Sequence, residues 1–211
     1  MESPEVRPAL RGRLHVMAFI AAIPAGLLLI VDADQAAERV ATAIYATSLL
    51  LVFGVSAAYH RLARRPRVRA LMQRLDHAVI YLLITGTYTP VCLLALPWSW
   101  GIPLLAVVAT GAATGIILKL TAFTTAGRYA NILYPVLGWV AIAAAPALLP
   151  ALNPTQITLL VIGGLAYTIG FPVLLLRWPD PWPRTFGYHE IWHTFTVIAA
   201  VLHFGAVATL L

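Results

Sequence analysis

The run VATAIYATSLLLVFGVSAAYH, residues 40–60, followed at once by RLARRPRVRALMQR, residues 61–74, decides how the rest of the chain is read. The first part is long and apolar enough for a transmembrane helix, which needs ~20 such residues to cross the hydrocarbon core. The second carries Arg61, Arg64, Arg65, Arg67, Arg69 and Arg74, an excess that marks a cytoplasmic connector under the positive-inside rule. A span that ends at the cytoplasmic face is therefore fixed, and the flanking sequence can be counted outward from it.

Upstream lies a loop carrying Asp32, Asp34, Glu38 and Arg39, and before it a first apolar run over about 14–31, preceded by Arg7, Arg11 and Arg13. A signal peptide can begin this way, but the run is too long for a typical apolar h-region and six more spans follow, so an uncleaved first span is expected. Downstream, a third span covers about 75–96 and is closed by Pro97 and the interfacial aromatics Trp98 and Trp100. The fourth covers about 102–122 with Lys119 near its end, and the fifth about 129–149, before the turn at Pro150 and Asn153-Pro154. The sixth occupies about 156–176, and a connector rich in Pro and Trp leads to the seventh, about 188–211.

Seven spans put the N-terminus and the connectors 61–74, 119–128 and 177–184 on one side of the membrane. Of the 14 Lys and Arg residues only Arg39 then falls on the other side. A six- or eight-span count breaks this pattern. The expected architecture is an all-α integral membrane protein of the cell membrane. It forms a single seven-transmembrane helix bundle over residues 1–211, with the N-terminus cytoplasmic and the C-terminus outside.

Composition agrees. Hydrophobic residues make up 61% of the 211 positions and charged ones 10%, against roughly 25% charged in soluble domains. The net charge of +6 is spread over short connectors between apolar runs, so it reads as topology rather than as a nucleic-acid surface. Cys92 is the single cysteine, which excludes an intrachain disulfide and a thiolate cluster and leaves a packing role. Pro24, Pro135, Pro146 and Pro172 lie inside spans and are expected to kink several of them. Gly111-x-x-x-Gly115 and Gly163-Gly164 allow close helix approach within the bundle.

Orientation gives depth. The second span ends at the cytoplasmic side with Ser56 and His60, the third begins there with Asp76 and His77, and the seventh begins there with His189 and His193. Residues four apart share a helix face, so Ser56 pairs with His60 and His189 with His193. Three imidazoles with an open fourth position are the ligand set expected of a catalytic Zn²⁺, whose bound water ionises near neutral pH. Asp76 is then placed to orient or deprotonate that water, and Ser56 to hydrogen-bond Asp76 or a ligand. The bland alternative for each intramembrane histidine is a side chain satisfied by water or a carbonyl, and that is the expectation for His15, His77 and His203. His203 lies about 15 Å beyond His193 along the helix axis, on another face, and cannot share the metal. Glu190 makes His189-Glu-Ile-Trp-His193 a match to the H-E-x-x-H pattern of zinc proteases, a reading that requires a further ligand motif not found here. The alternative is that Glu190 faces the cytoplasmic interface and pairs with an Arg.

Ser56-x-x-x-His60, Leu75-Asp-His-Ala78, the run Tyr81-Leu-Leu-Ile-Thr-Gly-Thr-Tyr-Thr-Pro90 and His189-x-x-x-His193, in this order and at these spans, resemble the hemolysin III branch of the progestin and adiponectin receptor family. The resemblance implies a seven-helix bundle with a cytoplasmic N-terminus and one zinc near the cytoplasmic face. It carries the zinc histidines onto His60, His189 and His193, the aspartate that holds the zinc-bound water onto Asp76, and the family serine onto Ser56. Adiponectin receptors and alkaline ceramidases in the wider family hydrolyse lipid amides, and bacterial members are associated with membrane-lipid homeostasis and haemolysis. One departure stands out: many members carry Glu and Asn ahead of a Thr-His pair before the first span, whereas this chain reads Leu10-Arg-Gly-Arg-Leu-His15 and keeps only the histidine.

The expectation is a zinc-dependent hydrolase of lipid amides or esters that takes membrane lipids as substrates. The competing reading is a membrane sensor or regulator in which zinc is structural. A pore lacks the row of charged residues that a channel of this depth requires.

Overall fold

The computed structural model describes residues 8–211, so Arg7 of the expected N-terminal basic group lies outside the described residues. Helices α1 (Arg13–Asp32), α2 (Ala36–Leu62), α3 (Pro66–Pro90), α4 (Trp98–Thr121), α5 (Gly127–Trp139), α6 (Ala145–Ala151), α7 (Pro154–Leu176) and α8 (Tyr188–Ala208) follow one another. A π turn, Val91–Ala95, continues α3, and a 3₁₀ stretch, Val140–Ala144, joins α5 to α6. Counted with these continuations, seven helices among the described residues are long and apolar enough to cross a membrane. The protein is an all-helical, multi-pass membrane protein of the cell membrane.

Neighbours in sequence pack as neighbours in space, α1 on α2, α2 on α3, α3 on α4 and α7 on α8, while α8 also meets α1. Leu29, Tyr45, Leu49, Phe53, Leu83 and Val207 form a core shared by α1, α2, α3 and α8. The outward side of α1 exposes Met17, Ile20, Leu27, Leu28 and Val31. In water such a patch invites association, whereas in a bilayer it meets solvent of its own kind. Gly111 and Gly115 of α4 face inward. A Cβ on Gly115 would run into the Tyr81 ring, and one on Gly111 would lie 2.6 Å from Leu137, so the pair serves packing within the bundle.

Two features depart from the hydropathy reading. The third helix starts at Pro66, well before the expected Leu75, with proline at its first position, where a missing N–H costs nothing. Hydropathy marks the lipid-embedded part of a helix, not its beginning, so Arg67, Arg69 and Arg74 sit on helical turns rather than in a loop. The fifth span breaks just ahead of Pro146, whose ring has no N–H to donate and crowds the preceding turn. The Tyr88 hydroxyl repairs the break. It donates to the carbonyls of Leu137 (2.9 Å) and Gly138 (3.2 Å) and accepts from Ala141 N (3.0 Å). Pro24 and Pro172, by contrast, sit within uninterrupted α1 and α7.

One end of the bundle gathers the basic connectors. Arg74 Nη1 donates to Leu120 O at 2.7 Å, linking α3 to the end of α4. The segment before α1 is strapped to the connector before α8, with Ala9 N donating to Arg184 O at 2.9 Å and Leu10 N to Thr185 O at 3.1 Å.

Candidate metal centre

At that basic end, the last turns of α2, the early turns of α3 and the first turns of α8 converge. α8 begins where it does because two carboxylates satisfy its leading N–H groups. Asp180 Oδ1 accepts from Tyr188 N at 2.9 Å, and Glu190 Oε2 from Gly187 N at 2.9 Å. Negative charge at a helix N-terminus also complements the macrodipole. His189 and His193 therefore emerge from a fixed helix start, on the face turned toward α2.

His60, His189 and His193 each present a ring nitrogen such that all three lie within 4.8 Å of one another. The Nε2 atoms of His60 and His189 are 3.1 Å apart. Ligands at 2.0–2.1 Å from a tetrahedral Zn²⁺ stand about 3.3 Å apart, so this spacing is near that of a coordination shell. His193 is buried and its Nδ1 has no hydrogen-bond partner among the described residues. A buried, unsatisfied ring nitrogen beside two converging imidazoles fits a site able to hold a metal ion.

Asp76 Oδ2 lies 3.9 Å from His60 Nε2. Ser56, buried one helical turn from His60, neighbours that carboxyl. The five residues singled out from sequence, Ser56, His60, Asp76, His189 and His193, thus come together in one place. A cavity of about 270 Å³ opens beside them, with His60, Asp76 and His189 among its lining.

The other histidines divide. His77 Nδ1 contacts Gln73 O at 2.8 Å, and His203 Nε2 contacts Leu160 O at 3.2 Å, so both are satisfied by carbonyls outside the trio. His15 is different, and the expectation of an interfacial residue satisfied by water or a carbonyl is corrected. It is buried, its Nε2 meets Thr196 Oγ1 at 3.1 Å, and its ring stacks on His193 with centroids 3.7 Å apart and planes 4° from parallel. The stack fixes the plane of one candidate ligand.

Glu190 does pair with an arginine, but it is buried rather than facing the interface. At 1% exposure it takes Arg11 Nε at 2.6 Å on one oxygen and Gly187 N on the other. With both oxygens committed, it is a structural anchor and not a base poised for peptide hydrolysis. Lys119 is likewise buried. Its ammonium donates to Gly127 O (3.0 Å) and Asn131 Oδ1 (2.5 Å) beneath the rings of Phe123 and Tyr134, pinning the α4–α5 connector.

Arg11, Gly12 and Asp180 escaped the reading of the sequence. Gly12 has φ +76°, and a Cβ there would lie 2.6 Å from the Cβ of His60. The available signals were an acidic residue inside H-E-x-x-H in need of a cation, and a glycine between two arginines at the foot of α1.

Comparison with known proteins identifies the family. The family profile described as Haemolysin-III related matches residues 5–204. Hemolysin-3 of Bacillus cereus is 34% identical over 196 residues, covering 92% of this chain and 86% of that protein. The Hemolysin-3 homolog of Bacillus subtilis (strain 168) is 30% identical over 186 residues, covering 87% and 84%.

Proposed function

Since the chain belongs to the haemolysin-III related family, a branch of the progestin and adiponectin receptor family, we propose that it is a zinc-dependent hydrolase of lipid amides or esters working in membrane-lipid homeostasis. The observation that carries the reading is the placement of a carboxyl group, Asp76, against three imidazoles that can hold a metal ion, at the edge of a cavity inside a lipid-embedded bundle. A purely structural metal has no need of such a neighbour.

His60, His189 and His193 would hold the ion, and three neutral imidazoles suit Zn²⁺ among the common divalent metals. When bound, zinc supplies Lewis acidity that polarises a carbonyl and activates water. Asp76 receives the proton at a carboxylate oxygen and returns it to the leaving amine or alcohol. Ser56, beside that carboxyl, would orient it toward the histidines. The arginine-bound Glu190 and the His15 stack keep the α8 ligands in register, so the site is pre-organised. Apolar clefts between α3, α5, α7 and α8, lined by Leu83, Tyr134, Trp139, Tyr167 and Trp192, offer room for acyl chains.

The test is release of fatty acid from a panel of ceramide-like and ester lipids by the purified protein, with metal content measured alongside. Wild type is expected to release fatty acid, and Asp76→Asn to lose at least 100-fold while keeping its metal. A wild-type protein holding one zinc per chain yet cleaving nothing across the panel refutes the reading.

A second reading, a membrane sensor with structural zinc, draws support from the 3.1 Å approach of His60 and His189, which a metal would turn into a clasp between α2 and α8. It expects Asp76→Asn to be silent in every output while His193→Ala loses stability in step with metal. The haemolysin named in the relatives does not favour a pore here. Among the described residues, the buried charged groups Lys119 and Glu190 belong to the basic end and form no row through the bundle.

A further inference from the structure

The cavity beside the metal centre has a lining that hydrolysis alone does not call for. Three guanidinium groups border it. Arg11 comes from the segment before α1, Arg69 from the first turns of α3, and Arg177 from the end of α7, while among the described residues the only carboxylate in the lining is Asp76. Three separate elements thus deliver the same chemical group to one small space. Arg177 does so from the left-handed C-cap that ends α7, φ 53° and ψ 36°. Gln73 and Tyr188 add neutral donors to the same wall.

We infer that this cavity is a subsite for a phosphate group, with Arg69 and Arg177 as its recognition residues. The guanidinium fork is always charged and matches the oxygens of a phosphate two at a time. Arg11 also anchors Glu190, so Arg69 and Arg177 are the residues at which the subsite is tested. The volume, about 270 Å³, lies below the range of pockets that enclose whole drug-sized ligands, so it suits a headgroup and not a lipid with its chains. Basic pockets between transmembrane helices are a recurring solution for anionic headgroups. Because His60, His189 and Asp76 line the same cavity, a phosphate held at the arginines would set the adjoining bond of its own molecule beside the candidate metal centre. The assignment to a substrate headgroup rests on the hydrolase reading; the phosphate subsite itself does not. A phosphorylated lipid and free phosphate share this chemistry.

Binding to the purified, metal-loaded protein in neutral detergent separates these cases without turnover. The probes are inorganic phosphate, a short-chain phosphatidic acid and the diacylglycerol of the same chain length. The phosphatidic acid is expected to bind at least tenfold more tightly than the diacylglycerol. That advantage should shrink at least tenfold in Arg69→Gln/Arg177→Gln and should be unchanged in Arg64→Gln, an exposed arginine of the same connector that does not line the cavity. Metal content and thermal stability of each variant show that the fold is kept, and Arg69→Lys/Arg177→Lys should retain part of the advantage. Saturable, arginine-dependent binding of inorganic phosphate with no gain from the lipid supports the subsite with a soluble source. Equal binding of phosphatidic acid and diacylglycerol with no binding of phosphate overturns the proposal, as does binding that the double glutamine variant leaves untouched. Arginine-dependent phosphate binding in a protein that cleaves no lipid sinks the hydrolase and leaves the subsite standing.

Discussion

Replacing Arg11 by alanine should be more damaging than replacing its partner Glu190 by glutamine, although the two share one contact. Arg11 is 21% exposed in its side chain and Glu190 only 1%. Taking away the guanidinium leaves a carboxylate sealed in the bundle with one remaining donor, Gly187 N. Removing one partner of a buried pair costs about 3–5 kcal/mol, because the survivor can neither be hydrated nor neutralised cheaply. Glu190→Gln is the milder change. The amide oxygen can keep accepting from Gly187 N or Arg11, and a guanidinium with access to water recovers part of its solvation. About 1–2 kcal/mol is expected, from weakening hydrogen bonds that were charge-assisted. Once Arg11 is gone, Glu190→Gln should even restore stability, since it removes the stranded charge. The double variant should therefore unfold at a free energy between those of the two single variants.

Reversible denaturation in mixed micelles, with metal content followed in parallel, measures all four proteins. Metal occupancy should fall in the same order as stability, because Glu190 sits between His189 and His193 in the first turns of α8. Two results refute the reasoning: Glu190→Gln as destabilising as Arg11→Ala, or losses that simply add in the double variant. A Glu190→Gln protein with full stability and full metal but no activity would instead give the carboxylate a chemical task.

Three further outcomes are expected. His60→Ala should lose stoichiometric metal on purification, by elemental analysis, while the fold persists by circular dichroism, since α2 keeps its core contacts through Tyr45, Leu49 and Phe53. Gly12→Ala should lower metal affinity by about tenfold, the lower end of what displaced support of a metal ligand costs, because its Cβ must push His60 and its backbone is left-handed; unchanged affinity would count against the close approach. Tyr88→Phe should cost about 1–2 kcal/mol of stability and leave metal content alone, because it strips the hydrogen bonds that repair the break before Pro146 far from the site.

The span count and the converging layer were legible in the sequence because a bilayer imposes two simple codes. Apolar length sets the span, and the placement of Lys and Arg sets its direction. Those codes alone brought Ser56, His60, Asp76, His189 and His193 to one level. They were blind where lipid is not the solvent. The start of α3 at Pro66 lies among arginines, where hydropathy carries no signal for helix. The contacts of Arg11 and His15 span most of the chain and that of Gly12 reaches the far end of α2, and periodicity within one helix says nothing about which distant helix it meets. Pro146 announced a break, but the hydroxyl that satisfies the freed backbone comes from Tyr88, two spans earlier.

The segment before α1 shows what that blindness concealed. Arg-Gly-Arg at positions 11–13 reads as topology, and the absence of an acidic residue there reads as a missing element. In the structure Arg11 holds the buried acid of α8, Gly12 admits His60, and His15 lies flat on His193. Backbone bonds from Ala9 and Leu10 to the connector before α8 hold the segment in place. One short stretch thus braces both helices that carry the candidate ligands, and does so from outside the trio. The contact that joins the two elements is an ion pair with its acid, Glu190, on α8 and its cation, Arg11, on the N-terminal side, so the two stretches of sequence have to be read together.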